Sequence, residues 1–71
     1  MKAEIAQIVA NGKPQEIKLP CSLAGFLRSF GWQPTQVVVE HNGRVVARED
    51  AGRISLDSGD RIEIIVPVAG G

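Results

Sequence analysis

Gly70-Gly71 puts a backbone carboxylate at the end of a stretch with no side chains, and the chemistry of this chain is expected there. Glycine lacks Cβ, so such a tail can thread a narrow channel and adopt backbone angles closed to other residues. A partner's backbone could approach it from both faces. Pro67, just upstream, stiffens the exit and lowers the entropy lost when the tail docks. The alternative is an inert terminus, but a hydrophobic strand pattern runs straight into the glycines with no filler between.

The other reactive side chains have simpler explanations. Cys21 precedes a helix start, where thiols are often acidified, yet a lone cysteine there is also an ordinary small hydrophobe. His41 has no Ser, Cys or carboxylate fixed beside it by a motif. Asp57 and Asp60 look like paired carboxylates, but they sit in Asp57-Ser58-Gly59-Asp60, a turn cluster in which side chains satisfy nearby backbone N–H groups. Trp32 is expected to cover the core, and Asn42-Gly43 is a turn, not a phosphate loop.

Composition narrows the functions further. A chain of 71 residues makes one domain and buries only roughly 60% of its unfolded surface, which leaves no room for a closed catalytic pocket with a cofactor. Eight basic and eight acidic residues cancel, and the basic ones are scattered, so nucleic acid is not an expected partner. No apolar run approaches the roughly 20 residues of a membrane span, and Met1-Lys2-Ala3-Glu4 is not followed by a signal-peptide core. A soluble, cytoplasmic protein with no membrane partner is expected. One cysteine and one histidine cannot build a zinc or iron–sulfur cluster within a single chain. Size and composition together favour a carrier, modifier or binding module.

The elements that must position the tail are legible in outline. Ala3–Ala10 and Gln15–Leu19 read as a hairpin around Asn11-Gly12, with Lys13-Pro14 lengthening the connection and Pro14 fitting a turn or edge position but not a central strand. The facing of the first strand is ambiguous. Ser22 is a good N-cap, and Leu23, Phe26, Leu27 and Phe30 form one helical stripe that Gly31 ends. Gly25 within that helix costs about 1 kcal/mol relative to Ala, so packing must hold it. Val37–Glu40 reads as a buried strand, Asn42-Gly43 as a turn, Arg44–Val46 as a short strand and Arg48–Arg53 as an irregular stretch with at most one helical turn. Arg61–Val66 alternates and is the best strand. The economical arrangement is α+β: a mixed four- to five-stranded sheet with one helix packed across it, the last strand beside the first, which is a β-grasp or ubiquitin-like fold. Residues 1–66 form the domain and 67–71 a flexible tail.

With hairpin, helix and tail placed, the chain resembles the ThiS family, the thiamine-biosynthesis sulfur carriers of the ubiquitin-like superfamily. Asn11-Gly12-Lys13-Pro14, Ser22-Leu23-Ala24, Val39–Val46, Asp57–Arg61 and the closing Val68-Ala69-Gly70-Gly71 carry the likeness, which covers nearly the whole length. The family's frequent proline and aromatic near Ala47–Ala51 are absent here. The resemblance implies that the chain is a protein co-substrate and not an enzyme. A ThiF-like adenylyltransferase would use ATP to activate the Gly71 carboxylate. A persulfide donor would convert it to a thiocarboxylate, and a ThiG-like thiazole synthase would take the sulfur. No cofactor is then bound by the chain itself.

Alternation in the last strand points Ile65, with Val38, to the sheet face away from the helix. That face, rimmed by Arg61 and Glu63 and continued by Val68 and Ala69, is the expected docking surface. The small subunit of molybdopterin synthase, carriers for other small molecules, a ubiquitin-like protein modifier and a plain β-grasp interaction domain are the alternatives.

Overall fold

The computed structural model describes residues 4–67. Five strands and one helix follow in the order β1 (Glu4–Ala10), β2 (Lys13–Leu19), α1 (Leu23–Ser29), β3 (Val38–His41), β4 (Arg44–Val46) and β5 (Arg61–Ile65). Two short 3₁₀ turns, Pro34–Gln36 and Arg48–Asp50, lie in the connections. The sheet order is β2-β1-β5-β3-β4. The last strand therefore enters the middle of the sheet, parallel to β1 and antiparallel to β3. This is the expected β-grasp arrangement. Among the described residues no helix is long and apolar enough to cross a membrane.

The hairpin is tighter than the sequence suggests. Asn11 and Gly12 take φ of 51° and 80°, and Ala10 pairs directly with Lys13, so the turn has two residues. Lys13-Pro14 belongs to β2 instead of lengthening the connection. Proline is tolerated there because β2 is an edge strand and because Val9 turns its own N–H to the Asp60 carbonyl, 2.9 Å away, not to β2. The Val9–Pro14 pair thus needs no donor from either residue. The facing of β1 is now settled: Ala6, Ile8 and Ala10 are buried, while Ile5 points outward.

Helix α1 lays Leu23, Ala24, Phe26 and Leu27 on Ala6, Ile8, Ala10, Ile17, Val39 and Ile62 in one core. Phe30, expected in that stripe, is the C-cap residue and is 50% exposed; Gly31 follows at φ +86° and turns the chain away. Its ring still stacks obliquely on Phe26, with centroids 5.0 Å apart. Trp32, Leu19, Val37 and Ile64 are half-buried against the core. The third strand starts at Val38, not Val37, and only Val39 of it is buried. The fifth ends at Ile65, one residue short of the expected Val66.

The helix N-terminus is closed by the connection between β4 and β5. Gly25 N–H donates to Ser22 Oγ at 3.0 Å. Leu23 N–H donates to the Ile54 carbonyl and Ala24 N–H to that of Ala51. Every free amide of the first turn therefore has a partner. Glycine at position 25 suits this cap, since an added Cβ would lie 3.2 Å from the Ser22 Oγ. The same connection buries Ala51 and Leu56, which lie outside every regular element.

The start of β5 is pinned by a carboxylate. Asp60 accepts from His41 Nε2 at 3.0 Å, Asn42 Nδ2 at 3.1 Å and the Asp57 N–H at 2.9 Å. Burial alone pushes the Asp60 carboxyl up. The hydrogen bonds from His41, Asn42 and Asp57, with the charge on His41, outweigh burial and hold it below its ordinary value. A carboxyl lowered in the folded state stabilises the protein above the unfolded value of about 3.9, and that contribution is lost as pH falls through the lower folded one. D60N should therefore be less stable than the wild type by about 1–3 kcal/mol at neutral pH. In urea titrations the gap should narrow below about pH 4. An equal gap at both pH values would remove the carboxylate as its source.

Candidate functional site

The described chain leaves the sheet through Ile65, Val66 and Pro67. Gly70 and Gly71, on which the expected chemistry falls, and Val68 and Ala69, expected to continue the docking surface, lie outside the described residues, as does all of the expected 67–71 tail beyond Pro67. What can be built from the residues upward is the strand that delivers them and the two surfaces beside the exit.

The first surface is the sheet face away from the helix. With Ile62 fully buried and Ile64 half-buried on the core side, Arg61, Glu63 and Ile65 alternate outward, each exposed. Register places Val38 directly opposite Ile65, and the two are 40% and 48% exposed. Val45 follows on β4, opposite Glu40 and 69% exposed. The expected pairing of Ile65 with Val38 is thus present in the geometry. Ile5, also exposed, is on this face but toward the far end of β1, away from the exit.

Between these apolar side chains stand two carboxylates. Glu40 is the cross-strand partner of Glu63 on the same face. Like charges directly opposite one another disfavour a strand pair. Among the described residues the ion pairs are His41–Asp60 and Arg53–Asp50, so neither glutamate is neutralised and Arg61 is not bonded to them. Glu40 and Val45 carry no local mark that would place them beside Ile65; their position follows only from strand register.

The second surface is a cleft of about 400 Å³ on the helix side, lined by Asn11, Lys13, Phe30, Trp32, Ile64 and Val66 among others. Val66 is 48% exposed there. Trp32 closes the end of the core, as expected, while one side of its surroundings stays open. The exit is therefore apolar on both sides of the sheet, and acidic on the outward side.

The remaining candidates are accounted for by structure. Cys21 is half-buried in the wall of a groove of about 300 Å³ between β2 and α1. Burial pushes its thiol up, away from the thiolate that sulfur transfer needs. The helix amides that could have acidified it are already bonded. His41 does have a carboxylate neighbour, Asp60, contrary to what its flanking residues indicate; the fold supplies it from a turn 19 positions later. Their role is to join the Asn42-Gly43 turn to the Asp57–Asp60 turn. Asp57 accepts from the Ser58 N–H at 2.9 Å, the local use expected of it.

Comparison with known proteins agrees with this geometry. The crystal structure of a thiamine biosynthesis protein (ThiS) from Geobacter metallireducens superimposes with a TM-score of 0.77 and 28% identity, over 92% of this chain and 99% of that one. A thiazole synthase from Magnetococcus marinus is 35% identical over 65 residues, which are 92% of this chain. The chain spans only 20% of that relative's length, so the likeness is to one segment of a longer protein. The model of the ThiS family matches residues 3–71, from the first strand through both terminal glycines. The chain belongs to the ThiS family.

Proposed function

We propose that this chain is a cytoplasmic sulfur carrier of thiamine biosynthesis, a protein co-substrate whose working group is the Gly71 carboxylate. The observation that carries the reading is the family match through residue 71, on a fold whose central strand runs out toward that residue.

A carboxylate is a poor acyl donor, because its charge repels nucleophiles and its leaving group would be oxide. Attack of the Gly71 carboxylate oxygen on the α-phosphorus of ATP expels pyrophosphate and forms an acyl-adenylate. The terminal sulfur of a persulfide then attacks the carbonyl carbon and expels AMP, which leaves an acyl disulfide. A second thiol cleaves the S–S bond, is itself oxidised to a disulfide, and frees the thiocarboxylate. A ThiF-like adenylyltransferase catalyses the first step, and a ThiG-like thiazole synthase consumes the product. The thiazole synthase relative supports that last assignment, since one protein there contains both a segment similar to this chain and a much longer remainder.

The outward face docks these enzymes. Val38, Ile65 and Val45 supply apolar contact, and Glu40 with Glu63 fits an arginine or lysine of the partner, whose charge relieves their mutual repulsion. Arg61, on the same face, orients the partner by its opposite sign.

Two outcomes are expected. The protein isolated with its adenylating enzyme and sulfur donor should contain a species heavier by the exchange of one oxygen for sulfur, mapped by mass spectrometry to the C-terminal peptide and lost when Gly71 is deleted. An unmodified mass under those conditions would remove the carrier reading. I65D should fold normally, because the side chain is half exposed, yet raise the KM for adenylation about 10-fold or more. An unchanged KM would place docking elsewhere.

A further inference from the structure

The two Asn-Gly turns do the same thing at opposite ends of the same strand. Asn11 and Asn42 both have φ of 51°. Asn42 Oδ1 accepts from the Arg61 N–H at 2.8 Å, at the start of β5. Asn11 Oδ1 accepts from the Ile64 N–H at 2.7 Å, near its end. A positive φ alone would be met better by glycine, so the side chains have a separate use.

At the Ile64 end that use bears on the tail. Strand β1 pairs with β5 only at Val9–Arg61 and Ala10–Ile62. The last backbone bond of this ladder runs from Asn11 N–H to the Ile62 carbonyl, at 2.8 Å. There β1 turns into the hairpin, and the next β5 amide facing that side, Ile64 N–H, has no strand residue to meet. The Asn11 side-chain carbonyl takes the place of the missing backbone carbonyl. It extends the ladder by one bond, three residues before Pro67.

We infer that Asn11 is a positioning residue for the reaction at the tail: its Oδ1–Ile64 bond fixes the direction in which Ile65, Val66 and Pro67 leave the sheet. The inference rests on the carrier reading above. Docking by Val38, Ile65 and Val45 sets the affinity for the adenylating enzyme, whereas the exit direction sets how often the Gly71 carboxylate reaches ATP. A misdirected exit therefore lowers kcat and leaves KM alone.

The test compares N11G, N11D and N42G with the wild type in ATP–pyrophosphate exchange catalysed by the ThiF-like adenylyltransferase. Glycine keeps the turn and removes the acceptor; aspartate keeps both the turn and an acceptor. Expected for N11G are a kcat about 10-fold lower at unchanged KM, and Ile64 amide hydrogen exchange about 10-fold faster. N11D should restore both. N42G, which frees the other end of the strand, should be destabilised yet keep its kcat, which separates tail direction from general loosening of the fold. An N11G chain with wild-type kcat, or N11G and N42G losing kcat alike, overturns the inference while the carrier reading stands. A wild-type chain that supports no exchange at all overturns both.

Discussion

The way the described chain leaves the sheet depends on the last strand being inserted between the first and the third. A C-terminal strand added at a sheet edge would be held from one side; β5 is bonded from both, parallel to β1 and antiparallel to β3. Its Ile62 is fully buried under the helix, so the strand is anchored by packing as well as by its ladders. The cost is loop closure. The strand that meets β5 on one side lies about fifty residues back in sequence, and such a pairing restricts the chain before it returns any contact energy. Local devices offset this at both ends. The Asp60 carboxylate and Asn42 fix where β5 begins, and the Asn11 side chain carries its pairing one bond past the end of β1.

A second constraint follows from the helix being short. Seven residues form less than two full turns, too few to be stable alone. The helix persists because both its apolar side and its N-terminal amides are used by the rest of the chain. The segment 51–56 supplies carbonyls to Leu23 and Ala24 and adds Ala51 and Leu56 to the core. An irregular connection thus acts as a third layer over one end of the helix, which is how a small domain increases its buried area without another regular element.

Features set by neighbours in sequence were legible: two Asn-Gly turns, the Ser22 cap, the Gly31 stop, the alternation of β5 and, from it, the outward Ile65. Features set by residues far apart were not. Pro14 was compatible with a turn or an edge position, but that β2 begins at Lys13 depends on the edge position of β2 and on the turning of Val9 toward β5, which neighbours in sequence do not reveal. Phe30 matched the helical stripe, but spacing cannot show that the helix ends one residue earlier. Ala51 and Leu56 stand in a polar stretch with no periodicity to reveal their burial. His41 lacked a motif partner because Asp60 reaches it through sheet pairing. The outward glutamates belong with these: each is an ordinary strand residue until register sets one against the other.

That pair bears on the docking proposed for the outward face. Like charges set opposite one another disfavour a strand pair, and among the described residues neither glutamate has an ion-pair partner. Neutralising either one with an internal lysine would stabilise the fold. It would also fill the place in which a partner's cation could sit. In the proposed docking, leaving the glutamates opposed would keep a favourable electrostatic change for association, where a single arginine could bridge both. Folding likewise leaves Val38, Ile65 and Val45 around them exposed, and in the proposed docking their burial would fall to the partner. In the proposed role a carrier passed from an activating enzyme to an acceptor must be released by the first before it can meet the second, and a docking face of a few half-exposed side chains suits such a transient contact better than an obligate one.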